Sequence, residues 1–126
     1  MTRMARILVV DDEDVVRRVI ATWLKRWGHT VVEADSADAG LAIMEANPVE
    51  ILVVDLIMPT HSGLWMIERV RQRWPSTPII VESGAHDDAK IQSAKRYGVI
   101  AFVPKPFGRE MIHQAIEQAV LNLSNN

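Results

Sequence analysis

The sequence predicts an α/β fold in which a doubly wound, five-stranded parallel sheet carries five helices on its two faces. Three observations support this prediction. Short apolar runs rich in β-branched residues recur along the chain, as in strands that are buried on both faces. Segments with helical spacing of their apolar residues alternate with these runs. The connections are short, which favours right-handed crossovers between parallel strands.

The composition indicates one globular domain over residues 1–126. The net charge of −2 gives no general attraction to nucleic acids or anionic membranes. The chain has no cysteine, which excludes disulfides and thiolate metal sites. No apolar run approaches the length of a membrane span, and the first residues lack the apolar region of a signal peptide. We therefore expect a cytoplasmic protein that binds neither nucleic acid nor membrane directly.

The first half of the chain contains three predicted strands and two predicted helices. The strands are Arg6–Val10, Thr30–Ala34 and Ile51–Asp55. The first helix, residues 13–27, begins with acidic residues that suit the positive end of a helix dipole, and Gly28 ends it. The second helix is capped by Ser36 and stopped by Pro48.

The second half continues the alternation with two strands and three helices. The predicted strands cover residues 78–83 and 100–103, and the predicted helices cover residues 62–74, 87–97 and 108–123. Pro75 closes the first of these helices, and the helix at 87–97 is the most polar one. A rigid loop rich in proline, residues 104–107, follows the last strand.

Polar residues stand where the predicted strands end. They are Asp11, Asp12, Asp55, Ser83 and Lys105. Because the carboxyl ends of parallel strands share one edge of the sheet, these side chains should converge there. Three neighbouring carboxylates repel one another unless a cation neutralises them, and hard oxygen ligands suit Mg²⁺. With an ammonium group and a hydroxyl nearby, the edge forms a pocket for a phosphoryl group that a carboxylate attacks in line.

The same residues carry a resemblance to a known family. In order and spacing, four motifs resemble those of the response-regulator receiver domain, the phospho-acceptor module of two-component signalling, from residue 6 to about residue 123. The motifs are Val9-Val10-Asp11-Asp12, Asp55-Leu56-Ile57-Met58-Pro59 with Gly63, Ser83-Gly84 and Lys105-Pro106-Phe107. The resemblance implies a flavodoxin-like sheet with the strand order 2-1-3-4-5.

The resemblance also implies an acceptor and its metal ligands. Asp55 would be the aspartate that becomes phosphorylated. Asp12 would bind Mg²⁺ directly and Asp11 mostly through water, and the backbone carbonyl of Ile57 would complete the protein ligands. The phosphoryl donor would be a phosphohistidine on a sensor histidine kinase or a phosphotransfer protein.

The remaining site residues are expected to form a switch. By resemblance, Ser83 is the switch hydroxyl, Lys105 binds the phosphoryl group, and Phe102 changes rotamer to fill the space that Ser83 vacates. The peptide bond between Lys105 and Pro106 is expected to be cis. The surface of helix four, strand five and helix five would then signal to an output partner or domain, and a homodimer could form through it.

Three other functions compete with this interpretation. A phosphohydrolase with an aspartyl nucleophile needs a second acid two residues later, where this chain has Ile57. A nucleotide- or flavin-binding module needs a glycine-rich first loop, but the acidic residues 11–14 would repel phosphate. A degenerate receiver that acts only as an interaction surface is disfavoured because all five site positions are intact. The protein is therefore expected to be a signalling domain rather than an enzyme.

Several residues depart from the family pattern or fall outside it. Glu82 occupies a position that is usually apolar, so its carboxylate should be paired or should reach out at the edge of the sheet. Ile57 and Ala85 are apolar where rapidly dephosphorylating receivers carry polar residues, which predicts slow hydrolysis of the aspartyl phosphate. Trp65 falls on the polar side of its helix and is a candidate for a partner contact, although a ring partly covered by its own chain is the favoured alternative. The histidines, which lack metal-ligand spacing, are assigned to the surface; they are His29, His61, His86 and His113.

Overall fold

The computed structural model describes residues 3–84 and 88–124. Its centre is one five-stranded sheet in which every neighbouring pair is parallel, in the order β2-β1-β3-β4-β5. This confirms the predicted fold class and strand order. The strands are β1 (Arg6–Val10), β2 (Thr30–Ala34), β3 (Ile51–Asp55), β4 (Ile79–Ser83) and β5 (Ala101–Pro104).

Five helices pack against the two faces of the sheet. They are α1 (Asp14–Arg26), α2 (Ala37–Ala46), α3 (Gly63–Arg73), α4 (Asp88–Lys95) and α5 (Arg109–Ser124). Alternate residues of the strands separate the core into two clusters, because successive side chains of a strand point to opposite faces. Ile7, Val9 and Val53 belong to the cluster shared with α1 and α5, whereas Leu8 and Val54 belong to the cluster shared with α2 and α3.

The observed elements begin and end within one or two residues of their predicted positions. Glu13 is the N-cap residue of α1 rather than its first helical residue. Ser36 caps α2 as predicted, since its side chain accepts a hydrogen bond from the backbone of Ala39 at 3.1 Å. The last turn predicted for the fourth helix is not helical, and Gly98 follows α4 with a positive φ of 68°.

The register of the strands brings three acidic residues into one row. Val10 pairs with Val54, so Asp11 and Asp55 stand one step further along neighbouring strands, and Asp55 pairs with Glu82. Paired residues of parallel strands point to the same face. The row therefore lies on the face covered by α1 and α5, where the apolar parts of β1, β3 and β4 give way to carboxylates.

Gly63 allows the chain to fold back against the end of β3. Its backbone N–H donates a hydrogen bond to the carbonyl of Leu56 at 2.9 Å. A Cβ atom at Gly63 would lie only 2.0 Å from the carbonyl oxygen of Asp55 and 2.8 Å from Cα of Leu56. Only glycine fits this approach, which places the start of α3 beside Asp55.

Candidate functional site

Three carboxylates meet at the carboxyl edge of the sheet. One oxygen each of Asp11, Asp12 and Asp55 lies within 4.8 Å of the other two. Asp11 and Asp55 are buried, with 0% and 4% of their surfaces exposed, whereas Asp12 is exposed to solvent. The convergence expected from the sequence is therefore observed, with one side of the cluster open to an incoming ligand.

Asp55 is held from both sides. Its Oδ1 accepts a hydrogen bond from the backbone N–H of Ile57 at 3.2 Å, and its Oδ2 accepts one from Nζ of Lys105 at 3.2 Å. Burial raises the pKa of Asp55 to about 6, although Lys105 opposes this shift. A bound cation would favour the ionised form, which is the form that can act as a nucleophile.

Lys105 reaches into this cluster from the loop that follows β5. The backbone N–H of Lys105 donates to the carbonyl of Ser83 at 2.8 Å, and the Lys105–Pro106 bond is cis as expected. Its Nζ lies 2.9 Å from Oε1 of Glu13 and 3.5 Å from Oδ2 of Asp11. Burial lowers the pKa of Lys105, but the neighbouring acids raise it more, so the net pKa is above its ordinary value.

The donor set fits a hard divalent cation. Oδ1 of Asp11 accepts a hydrogen bond from the backbone N–H of Glu13 at 2.8 Å, but its buried Oδ2 has no hydrogen-bond partner among the described residues. A buried carboxylate oxygen that lacks a hydrogen bond and lies beside two further carboxylates is suited to an ion of the Mg²⁺ type, which takes one or two carboxylates and keeps several waters. Ile57, whose backbone carbonyl is the remaining expected ligand, is 40% exposed at the rim of the site.

Ser83 and Phe102 lie on the opposite face of the sheet from the acidic row. Ser83 is buried at the end of β4 and pairs with Pro104, so Phe102, two residues before Pro104, points to the same face as Ser83. The Phe102 ring is half-buried against the core, with Nζ of Lys95 5.8 Å from its centroid. Ala85, predicted to influence hydrolysis, lies outside the described residues.

Of the two alternatives expected for Glu82, the structure shows the paired one: its carboxyl group lies beside Lys105 and does not reach out at an edge of the sheet. It stands on β4, an interior strand, and is fully buried. Its Oε1 lies 3.6 Å from Nζ of Lys105, and neither of its oxygens has a hydrogen-bond partner among the described residues. Burial, with the adjacent Asp11 carboxylate, raises the pKa of Glu82 to about 10.

Two residues of the site were missed by the sequence interpretation. The sequence indicates Glu13 only as a charge at a helix terminus, yet in the structure it is the acid nearest to Lys105. Arg17 is also part of the site, since it is buried and its guanidinium donates to the carbonyl of Asp11 at 2.9 Å. The helical spacing from residue 13 to residue 17 could have predicted this contact, because it places Arg17 one turn after the acidic loop and on the same side of the helix.

Among the histidines, His29 differs from expectation and His86 lies outside the described residues, whereas Trp65 has the partly covered ring expected as the alternative to a partner contact. His29 is buried rather than on the surface, and its Nδ1 accepts a hydrogen bond from the backbone N–H of Ala5 at 3.0 Å. Trp65 is half-buried: the ring of His61 stacks on it at 3.8 Å, and the guanidinium of Arg69 lies 4.1 Å from its centroid. Its ring is therefore partly covered by its own chain.

Comparisons with known proteins identify the family. Residues 7–117 match the family described as the response regulator receiver domain. A chemotaxis protein CheY homolog from Campylobacter jejuni is 30% identical over 119 residues, covering 91% of this chain and 92% of that protein. The chain therefore belongs to the response regulator receiver domain family, as the resemblance indicated. Receiver domains of this kind are signalling domains rather than conventional enzymes.

Other relatives are longer proteins or solved receiver domains. The Regulator of RpoS from Escherichia coli K12 is 32% identical over 123 residues, and the matched region covers 93% of this chain but only 36% of that protein. The receiver domain of NtrX from Brucella abortus superposes with a TM-score of 0.86 at 29% identity, covering 91% of this chain and 98% of that one. A receiver domain protein from Clostridium thermocellum gives 0.90 at 27% identity, covering 97% and 98%.

Among residues 3–84 and 88–124, none of the helices combines the length and the apolar character that crossing a bilayer requires.

Proposed function

We propose that the chain is a single receiver domain that accepts a phosphoryl group on Asp55 in a reaction that depends on Mg²⁺. The donor is a phosphohistidine on a sensor histidine kinase or a phosphotransfer protein in the cytoplasm. One observation carries the proposal: a buried aspartate at a strand end lies 3.2 Å from a lysine ammonium and within 4.8 Å of two further carboxylates. Charges of both signs at one open rim suit the binding of a phosphoryl group.

Phosphoryl transfer needs little covalent chemistry from the protein beyond the nucleophile. An oxygen of Asp55 forms a bond to phosphorus while the bond from phosphorus to the histidine nitrogen breaks, and the nitrogen leaves with the electron pair. Lys105 neutralises a phosphoryl oxygen, and the N–H of Ile57 keeps the carboxylate oriented. Asp11, Asp12, Asp55 and the carbonyl of Ile57 would hold Mg²⁺, which supplies positive charge to the transferring oxygens.

The product changes the charge of the pocket. An aspartyl phosphate carries roughly −1.5 to −2 charges where Asp55 carried one. Ser83 and Lys105 then move toward the new oxygens, and Phe102 fills the space left by the Ser83 hydroxyl. The surface of α4, β5 and α5 shifts between two packings and transmits the signal to an output partner or domain, or to a second copy of the chain.

The lifetime of this product depends on access of water to phosphorus. Ile57 places an exposed apolar side chain two residues after the acceptor. It has no polar group to orient an attacking water, so hydrolysis should be slow. A half-life of minutes or longer in the isolated protein is expected, and a half-life of seconds would contradict this part of the proposal.

The phosphoryl acceptor can be tested with acetyl phosphate as a small donor. Wild-type protein with Mg²⁺ should take up one phosphoryl group, seen by intact mass, whereas Asp55→Asn should take up none because an amide is not a nucleophile. Asp35→Asn, at an exposed aspartate after β2, is the matched control and should be labelled like wild type. Full labelling of Asp55→Asn would refute the assignment, and no labelling of wild type would favour a module that acts only by protein interaction.

A further inference from the structure

Glu82 is a buried carboxyl group that should destabilise the fold, and it has no role in the phosphoryl transfer proposed above. It stands on β4 directly before Ser83, and none of its surface is exposed. Neither of its carboxylate oxygens has a hydrogen-bond partner among the described residues. Burial of a carboxyl group without such partners destabilises a fold, and an apolar residue would fill the same space without this cost.

The position of Glu82 suggests what it contributes. Because it pairs with Asp55 in the register, its side chain lies in the same row as Asp55 and Asp11, on the face from which Lys105 enters. Its Oε1 is 3.6 Å from Nζ of Lys105. The buried Oδ2 of Asp11 also lacks a hydrogen-bond partner among the described residues, and it lies 3.5 Å from Nζ of Lys105. Glu82 thus lies beside two groups whose placement the acceptor site requires.

We propose that Glu82 is a positioning residue that fixes the Lys105 ammonium and the Asp11 carboxylate at the floor of the pocket before a phosphoryl group arrives. This inference rests on the proposed phosphoryl-acceptor function for its purpose, but its physical content is a contact within the unmodified protein. Glu13 also touches Lys105, yet its side chain is 59% exposed and holds the ammonium from the solvent side. Glu82 holds it from the buried side.

Two variants separate a positioning role from simple filling of space. Glu82→Gln keeps the length of the side chain, an oxygen close to Nζ of Lys105 and an N–H that can face the Asp11 carboxylate. Glu82→Leu keeps a similar volume but removes both contacts. Ile80→Val, two residues earlier on the same strand and face, is the packing control, since Ile80 belongs to the apolar core.

The direct readout is the reactivity of the Lys105 amine. The metal-free protein is treated with a limiting amount of an N-hydroxysuccinimide ester of acetic acid, and acetylation of Lys105 is measured by peptide mass spectrometry relative to exposed Lys25. Glu82→Leu should increase the relative reactivity of Lys105 about two- to tenfold, the factor expected for loss of one polar contact to the ammonium. Glu82→Gln and Ile80→Val should stay close to wild type.

Thermal unfolding gives a second readout. Glu82→Leu should raise the Tm, because it replaces a buried carboxyl group by an apolar side chain. Wild-type reactivity of Lys105 in Glu82→Leu would overturn the proposal. So would equal increases in Glu82→Leu and Ile80→Val, or a lowered Tm with unchanged reactivity, which would indicate a packing role only. Phosphoryl uptake by wild type, measured separately with acetyl phosphate, tests the underlying function and does not depend on these results.

Discussion

Asp55 and Glu82 hold their protons more tightly in the folded protein than in an unfolded chain. Burial is the main cause for both, and it raises the pKa of Asp55 from 3.8 to about 6 and that of Glu82 from 4.5 to about 10. Such shifts are opposite to those of carboxylates in stabilising ion pairs. They mean that the acidic row is assembled at the expense of stability, as is common where a fold serves a site.

The pH dependence of stability follows from the sign of these shifts. Between pH 4.5 and about 10, Glu82 is ionised in the unfolded chain but protonated in the fold, so folding takes up a proton. The stabilisation that comes from this proton uptake is full below the pKa of Glu82 in the unfolded chain. It is lost as the pH rises toward the pKa of Glu82 in the folded protein. In urea unfolding of metal-free wild type, the free energy of unfolding should therefore fall by up to about 1.4 kcal/mol per pH unit from Glu82.

Glu82→Gln should reduce this slope, since glutamine does not titrate. Glu45→Gln, at an exposed glutamate paired with Arg73, is the comparison that isolates the effect of burial. Equal slopes for wild type and Glu82→Gln between about pH 6 and about pH 8 would contradict the protonated state of Glu82.

At the scale of elements, the connection between β3 and α3 positions the acceptor. Gly63 brings the first turn of α3 against the backbone of Asp55 and Leu56, and Ser62 caps the helix by accepting from the N–H of Trp65 at 3.2 Å. The cap holds the start of the helix, and the glycine sets its distance from the strand. The orientation of Asp55 therefore depends on a residue that has no side chain.

Gly63→Ala should be severely destabilising. Its Cβ would fall 2.0 Å from the carbonyl oxygen of Asp55, which is backbone and cannot move independently of the site. We expect a loss of about 3 kcal/mol or more in the free energy of unfolding, measured by urea denaturation. Gly108→Ala, where a Cβ meets nothing within 4 Å, should change stability by about 0.5 kcal/mol or less. Similar values for the two variants would contradict this account of the connection.

At the scale of the whole molecule, the fold was predictable because each apolar run ended in a turn or a charge. Alternation of strands and helices fixed the parallel sheet, and the strand ends predicted that Asp11, Asp12, Asp55 and Lys105 would converge. The burial of Glu82 and His29 was not predictable in this way. It depends on which strand lies inside the sheet and on how the loops cover it, and neither is encoded in local spacing.

The partners of individual side chains were the least predictable part. Glu13 contacts Lys105 across 92 positions of sequence, so their meeting depends on the path of two loops rather than on any local pattern. The buried Arg17 illustrates the same limit, since its ion pair with Glu33 joins α1 to β2. Helical spacing assigns a residue to a face of its helix, but it does not identify the polar group that the face will meet.

The central claim is that the acids of β1 and β3 hold a divalent ion opposite Lys105 and present Asp55 to a phosphoryl group. A crystal structure grown with Mg²⁺ and beryllium fluoride, which mimics a phosphoryl group on a carboxylate, tests it most directly. The account predicts fluoroberyllate on Asp55, in contact with Nζ of Lys105, and an ion bound by Asp12, Asp55 and the carbonyl of Ile57. An unmodified Asp55, or an ion bound away from these residues, would contradict it.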